Sequence, residues 1–390
     1  MKALAPISLL LFFIPCQSFS QKVLNDTSWY NKEKGNIEWI ASVQTKKGKK
    51  IRQGAFLAYY KNGKTSQKGN YEKGKASGIW TYYTRTGLLK AKYQYLSNKK
   101  NGYFETYYPD SSIHQKGNFI KDKRNGELNT YYENGQVQEI TPYQNGKISG
   151  KVLAYYEDGV LWKKISYRNS KPHGKWEEFY KNGNPMMVSY KKDDENYSHF
   201  QRFHENGQVY KDFQYRNKKL QGEYKVFYPD DNIRQLSNYE QGVITGIQTE
   251  YYSSGQIRER GAYLNGKRSG VWKTFFKDGT IYTQGRYTNG KYHGVWTINY
   301  PNGQVKQQGN YIAGLSEGKW QFFYDNGKLM RQGIFKQDRE EGLWSVYDQD
   351  GNKRMDLNFS HGELNGKTTI YNEKGKISKL AMYKEGKLIE

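Results

Sequence analysis

The segment "GVWKTFFKDGTIYTQGRYTNGKYH" (residues 270–293) is followed at once by "GVWTINYPNGQVKQQGNYIAGLSE" (residues 294–317), a second version of the same 24-residue phrase. Stepping by 24 from Gly270 reaches positions 54, 78, 102, 126, 150, 174, 198, 222, 246, 294, 318, 342 and 366. Thirteen of these fourteen positions are glycine, and the exception is Ser198. A fixed period in this range marks a repeat array. Other columns keep the same register to residue 390. The sixth residue is Tyr or Phe in thirteen repeats, Asn299 being the exception. The tenth is glycine in twelve, with Ser111 and Asp231 as substitutes. The eighteenth is aromatic in thirteen; Lys191 breaks the column, and Tyr190 sits one place early.

Each repeat reads as a β-hairpin. Asn-Gly or Asp-Gly between two β-prone runs signals a tight turn, because both residues tolerate positive φ. Asn62-Gly63, Asp158-Gly159 and Asn302-Gly303 are such pairs. A second break, as in Asn265-Gly266-Lys267 or Asn289-Gly290-Lys291, returns the chain into the next repeat. No segment carries apolar residues at helical spacing. The predicted fold class is therefore all-β, an elongated single-sheet antiparallel hairpin array of fourteen repeats. Two strands per repeat at about 4.8 Å spacing give an expected span of roughly 130 Å.

Alternation assigns the faces, since successive strand side chains point oppositely. Trp272, Thr274 and Phe276 should share one face and Lys273 the other. The column of Trp272 also holds Trp80, Trp176, Trp296, Trp320 and Trp344, with Phe or Tyr in four further repeats. An aromatic ladder should run down that face, each cross-strand pair contributing roughly 0.2–1 kcal/mol. Mean hydropathy is −1.02, but 37 Tyr, 17 Phe and 9 Trp supply area that a disordered chain lacks. Residues 37–43, "IEWIASV", alternate apolar and polar and read as a divergent first strand capping the array, within an N-terminal segment at 21–53.

"NGKYHGVWTINYPNG" (289–303) and "NSKPHGKWEEFYKNG" (169–183) resemble the MORN (membrane occupation and recognition nexus) repeat, and most of all its bacterial variant, often labelled antitoxin-like. The resemblance covers residues 54–390. It implies an extended hairpin array with lipid binding or protein docking as roles, and neither catalytic residues nor a cofactor. Many repeats lack the glycine expected at their sixteenth position, Tyr93 and Phe213 among them, which predicts strands that approach less closely there.

The first twenty residues, MKALAPISLLLFFIPCQSFS, hold one Lys, a short apolar run and Ser18-Phe19-Ser20, the pattern of a secretory signal peptide cleaved before Gln21. The run from Ala3 to Cys16 falls short of the roughly 20 residues that span a bilayer. The rival reading is a lipoprotein anchored on Cys16, with Pro15 standing where a small residue is wanted. Cleavage before Gln21 leaves no cysteine, which excludes disulfides and thiol chemistry. The expected location is periplasmic, outer-membrane-associated or extracellular.

Net charge is +24, unevenly spread. Residues 46–101 carry Lys46, Lys47, Lys49, Lys50, Arg52, Lys61, Lys64, Lys68, Lys73, Lys75, Arg85, Lys90, Lys92, Lys99 and Lys100 against the single acid Glu72. A basic end of that kind attracts anionic lipid or acidic polysaccharide. Lysines on edge strands equally discourage sheet-to-sheet pairing. Export argues against nucleic acid as a partner.

Catalytic patterns do not stand out from the repeat. His173 and His293 lie five repeats apart, and His199 and His204 flank one strand without a ligand set around them. Asp193-Asp194-Glu195, where the array loses register, reads as a solvated turn. The sequence thus predicts a non-enzymatic exported scaffold that docks a macromolecular partner, a protein first, at the cell envelope. An antitoxin or immunity-type neutralising protein is the alternative.

Overall fold

The computed structural model describes residues 23–31, 33, 35–191 and 197–390. The signal segment with Cys16 and Gln21 lies outside the described residues, as does Asp193-Asp194-Glu195. Among the described residues every regular element is a β-strand, 34 in all. The chain divides into two compact bodies, one ending at Gly159 and the other running from Val160 to Glu390. Within each body the strands pair antiparallel in chain order, hairpin after hairpin, as the period predicts.

The recurrent glycine has a backbone cause. All thirteen glycines of the 24-residue column adopt positive φ, from 66° at Gly342 to 119° at Gly150. They sit at a bulge between each repeat and the one before. Arg260 pairs with Lys273 and Ala262 with Ser269, so the single residue Gly261 faces Gly270, Val271 and Trp272. A bulge of this kind bends the strand and increases its twist, and glycine takes the left-handed conformation without steric cost. Ser198 shows the converse. It has no positive φ, and the strand Tyr197–Phe203 pairs with Pro185–Lys191 without any register shift. Where the glycine is lost, the bulge is lost.

The two turn classes differ from the single reading given by sequence. Asn265-Gly266 and Asn289-Gly290 are two-residue turns with positive φ at both positions, between Leu264 and Lys267 or Thr288 and Lys291. At Asn62-Gly63 only the glycine has positive φ. The loop closes with Gly63 N donating to Tyr60 O and Tyr60 N to Lys64 O, a turn ending in a left-handed residue. Asn62 serves through its side chain instead. Its Oδ1 accepts from Lys64 N, and its Nδ2 donates to Arg85 O in the next repeat at 2.9 Å. The preceding tyrosine makes a parallel tie, Tyr60 Oη donating to Tyr83 O at 2.8 Å. The same pair recurs at Tyr300 and Asn302. The Y-x-N-G phrase is therefore a clamp between repeats as well as a turn.

The N-terminal cap also needs correction. Residues 37–43 lie in the strand Ile37–Lys46, but it is not the first: Leu24–Trp29 pairs against it. "LNDTSW" has too little apolar content to be read as a strand, and it forms because Ile37–Lys46 offers it an edge. Ala41 and Val43 are buried there with Phe56, Ala58, Ala76 and Trp80 in one cluster.

Candidate functional site

The predicted ladder exists, and its construction is specific. Trp80, Trp272, Trp296, Trp320 and Trp344 are all at most 9% exposed. Each lies over a glycine on the neighbouring strand: Gly69, Gly261, Gly285, Gly309 and Gly333 respectively. A Cβ at any of these glycines would overlap the indole. Each indole N–H then donates to the backbone carbonyl after that glycine, at 3.0 Å for Ala262 and Arg286 and 3.2 Å for Asn70 and Ile334. Rings of the eighteenth column meet the indoles edge-on. Centroids are 5.1 Å apart for Tyr71–Trp80, 5.2 Å for Tyr287–Trp296 and 5.0 Å for Tyr311–Trp320. Such geometry contributes about 0.5–1.5 kcal/mol per pair beyond burial. Trp176 departs from the rule. Its cross-strand partner is Ile165, and its buried Nε1 has no hydrogen-bond partner.

The missing glycines do not hold the strands apart, contrary to the sequence expectation. Tyr93 faces Phe104 and Phe213 faces Tyr224, stacked at 5.6 and 5.5 Å. At these two positions a smaller ring takes the indole's place where a side chain replaces the glycine, so volume is conserved across the pair, whereas Ile165 faces the full indole of Trp176.

Cations lie over the ladder. The Arg52 guanidinium is 4.6 Å from the Trp39 ring, Arg268 4.0 Å from Trp272, and Lys100 3.8 Å from Tyr93. Burial pushes the Lys100 ammonium below the ordinary lysine value, and Arg124 adds to this against the pull of Asp122. Part of the predicted basic site is thus committed to the protein's own rings.

The remaining cations fall into separate rows. Lys46, Lys47, Lys49, Lys50, Lys73, Lys75 and Lys99 line the two-residue turns, where Lys50 pairs with Asp26 at 2.8 Å. Lys61, Lys64, Arg85 and Lys90 lie at the opposite turns, with Lys64 Nζ on Thr86 O at 2.6 Å. A nine-residue strand such as Lys75–Tyr83 puts about 30 Å between the rows. Lys68 and Lys92 belong to the face away from the ladder, 5.9 Å from the Tyr83 ring and 5.5 Å from that of Tyr107. Lys116, which composition alone did not single out, continues this row 5.2 Å from Tyr131. Its 24-residue spacing from Lys92 was the available signal. Glu105 sits among these cations, accepting from Tyr103 and Tyr107. Burial would raise its carboxyl, but those hydrogen bonds and the Lys92 and Lys116 charges hold it below the ordinary value. Tyr103 is pushed up to about 12, by burial first and then by its bond to Glu105.

A feature not anticipated lies in the second body, on that body's own face away from the indoles. Ile247, Val271 and Val295 occupy the second position of successive repeats and are 53%, 53% and 66% exposed. Ile334, opposite Lys319, and Leu343 continue the row at 50% and 53%. Ile247 and Val271 border a groove of about 450 Å³ with Ile257, Ala262 and Phe275, flanked by Arg260 and Lys273. The signal was the apolar residue after the wanted glycine in "GVW", "GIQ" and "GLW", which the alternation rule places outside.

Hairpins that repeat every 24 residues and clamp one another define a β-repeat protein, in which each repeat is stabilised by its neighbours. Nine segments match the family model described as MORN repeat variant: residues 52–73, 124–145, 148–169, 172–192, 220–241, 244–265, 268–289, 292–313 and 316–337. These cover half of the chain, which belongs to the MORN repeat variant family. The family is generally non-catalytic, and its repeats commonly bind protein or lipid. No curated protein matches the chain. Among solved structures, the TcdB2-TccC3-Cdc42 crystal structure aligns at 12% identity over 93% of this chain and 20% of that one, with a TM-score of 0.17. The Photorhabdus luminescens Tc holotoxin pore aligns at 12% identity over 93% and 19%, TM-score 0.17. A eukaryotic initiation factor aligns at 9% identity over 96% and 91%, TM-score 0.19. The chain spans about a fifth of the toxin chains, and likeness at this level carries no argument.

Proposed function

We propose that this chain is a non-enzymatic, exported scaffold that docks a protein partner at the cell envelope. The observation that carries the reading is the aliphatic row Ile247, Val271, Val295, Ile334 and Leu343, half or more exposed on the face opposite the ladder. Arg286, Asn310 and Lys319 stand between these side chains in the cross-strand register, so the row is a regular series of apolar points set among polar ones, the pattern of a contact surface with a polar surround. Ile247, Val271 and Val295, on successive repeats, stand about 10 Å apart, two strand spacings, and Arg260 and Lys273 at the groove favour a partner with acidic residues beside its apolar ones. Export rests on the signal-peptide pattern of residues 1–20. The test is capture from envelope extract by the full exported chain and by a variant with all five side chains changed to Ser. Loss of one defined protein from the variant, with the circular dichroism spectrum kept, supports the reading. Capture of the same proteins by both overturns it.

The second reading is anionic lipid or acidic glycan at the lysine rows. It is favoured by Lys46, Lys47, Lys49, Lys73, Lys75 and Lys99, which stand exposed along one line of turns. An antitoxin-type role rests on family labelling alone.

A further inference from the structure

The repeats are internal controls for one another, and they expose a gap on the ring-bearing face. Two residues after Trp320 stands Phe322, whose ring lies 6.2 Å from both Trp320 and Trp344. Arg331 covers it at 4.5 Å. Two residues after Trp80 stands Tyr82, which fills the same space, its hydroxyl 3.1 Å from that of Tyr95. Two residues after Trp272 stands Thr274. It is bonded to Thr283 across the strand pair at 2.6 Å, and neither reaches where a ring would lie. The result is a cleft of about 280 Å³ between Trp272 and Trp296, bounded by Glu259, Arg268, Gln307 and Tyr292. Tyr292 at its mouth is 39% exposed.

We infer that this cleft is a subsite for one pyranose ring of a neutral glycan. The occupant is ring-shaped because the equivalent space four strands on holds the ring of Phe322. It carries hydroxyls because polar groups share the walls with the rings: Thr274, Thr283, Gln307, Tyr287 and Tyr311 line the cleft beside Trp272, Trp296, Trp320 and Ile298. Thr274 and Thr283 pair with each other and Tyr287 accepts from Arg268, so an aromatic side chain of a protein would cover Gln307 without pairing it, at a cost a hydroxylated ring avoids. It is uncharged because Arg268 is matched by Glu259 at 2.9 Å, leaving no net charge at the site. Sugar rings set an apolar face on an aromatic ring and hydroxyls on planar polar side chains; Tyr292, the exposed ring at the mouth, offers the first and Gln307 the second, while Trp272 and Trp296 form the buried floor. The site lies on the face opposite the docking row and is independent of that proposal.

The probes are cellohexaose, maltohexaose, xylohexaose and chitohexaose, titrated into the full exported chain by calorimetry and tryptophan fluorescence at low and high salt. At least one is expected to bind with little salt dependence. Thr274→Phe copies the Phe322 arrangement and should weaken that binding at least about tenfold, with the circular dichroism spectrum unchanged. Gln307→Ala, a milder change outside the ring column, should weaken it several-fold and covers the case in which Thr274→Phe misfolds. The proposal is overturned by no binding of any of the four hexaoses, or by unaltered binding in a folded Thr274→Phe variant. Affinity that collapses with salt overturns it too, as does tighter binding of a tryptophan-containing hexapeptide than of any sugar.

Discussion

Gly261 lies beneath the indole of Trp272, and no other residue fits there. The bulge that sets one residue against Gly270, Val271 and Trp272 tips the indole back over the preceding strand, and its N–H reaches Ala262 O at 3.0 Å. A methyl group at position 261 would occupy the space of the ring. Gly261→Ala should therefore destabilise the second body by about 1–3 kcal/mol, the usual cost of overpacking. Gly279→Ala, in an open turn with positive φ, provides a comparison in which backbone strain acts alone. Urea denaturation of both variants checks this, and an unchanged midpoint for Gly261→Ala would remove the steric account.

Trp176 makes the complementary case. With Ile165 opposite, its buried N–H has no acceptor, whereas that of Trp272 has one. Trp272→Phe loses a hydrogen bond and strands a carbonyl, while Trp176→Phe removes an unpaired donor. The former should cost about 1 kcal/mol more than the latter. Equal losses in paired denaturation curves would show that the indole hydrogen bond contributes nothing net.

The joint at residues 184–200 should open before its neighbours. Pro185 withholds a ladder donor, Ser198 has removed the bulge, and Tyr190 is 47% exposed instead of joining the ring column. Amide exchange should be faster in 185–191 and 197–200 than in 270–341. Uniform protection across the two would contradict the expectation.

Acid should act at Asp356. Burial would raise its carboxyl, but hydrogen bonds from Ser345, Lys353 and Tyr371 outweigh it and hold the carboxyl below the ordinary 3.8. A depressed folded-state pKa stabilises fully above the unfolded value, and the contribution fades as pH falls through the folded one. Asp356→Asn should be less stable than the native chain at neutral pH, with the difference shrinking in acid. A difference that stays constant down through the carboxylate range would exclude this linkage.

Charge removal can separate the lysine rows. Changing Lys46, Lys47, Lys49, Lys73, Lys75 and Lys99 to Gln should abolish salt-sensitive binding to anionic vesicles if that row is a membrane site. The same change at Lys61, Lys64 and Lys90 should matter less, because those side chains stand at the other end of the strands. Each cation near an anionic surface contributes about 1 kcal/mol, screened within about 8 Å at physiological salt. Vesicle co-sedimentation that both sets reduce equally would point to net charge, not to a row.

The sequence by itself determined the period, the hairpins, the antiparallel order and the ring-bearing face. Those follow from positive-φ turns and alternation, which act over two or three residues and leave their mark in every repeat. The charge on residues 46–101 was equally legible, but its division between the two lines of turns, the outer strand face and the rings was not, because composition does not record where on a strand a lysine stands. Tertiary structure alone decided the rest. Gly261 serves Trp272, Tyr93 fits Phe104, and Thr274 leaves a gap that Phe322 fills elsewhere, because each of these is a volume shared between strands. One column read alone cannot show it: the size permitted at a position depends on the side chain packed across from it.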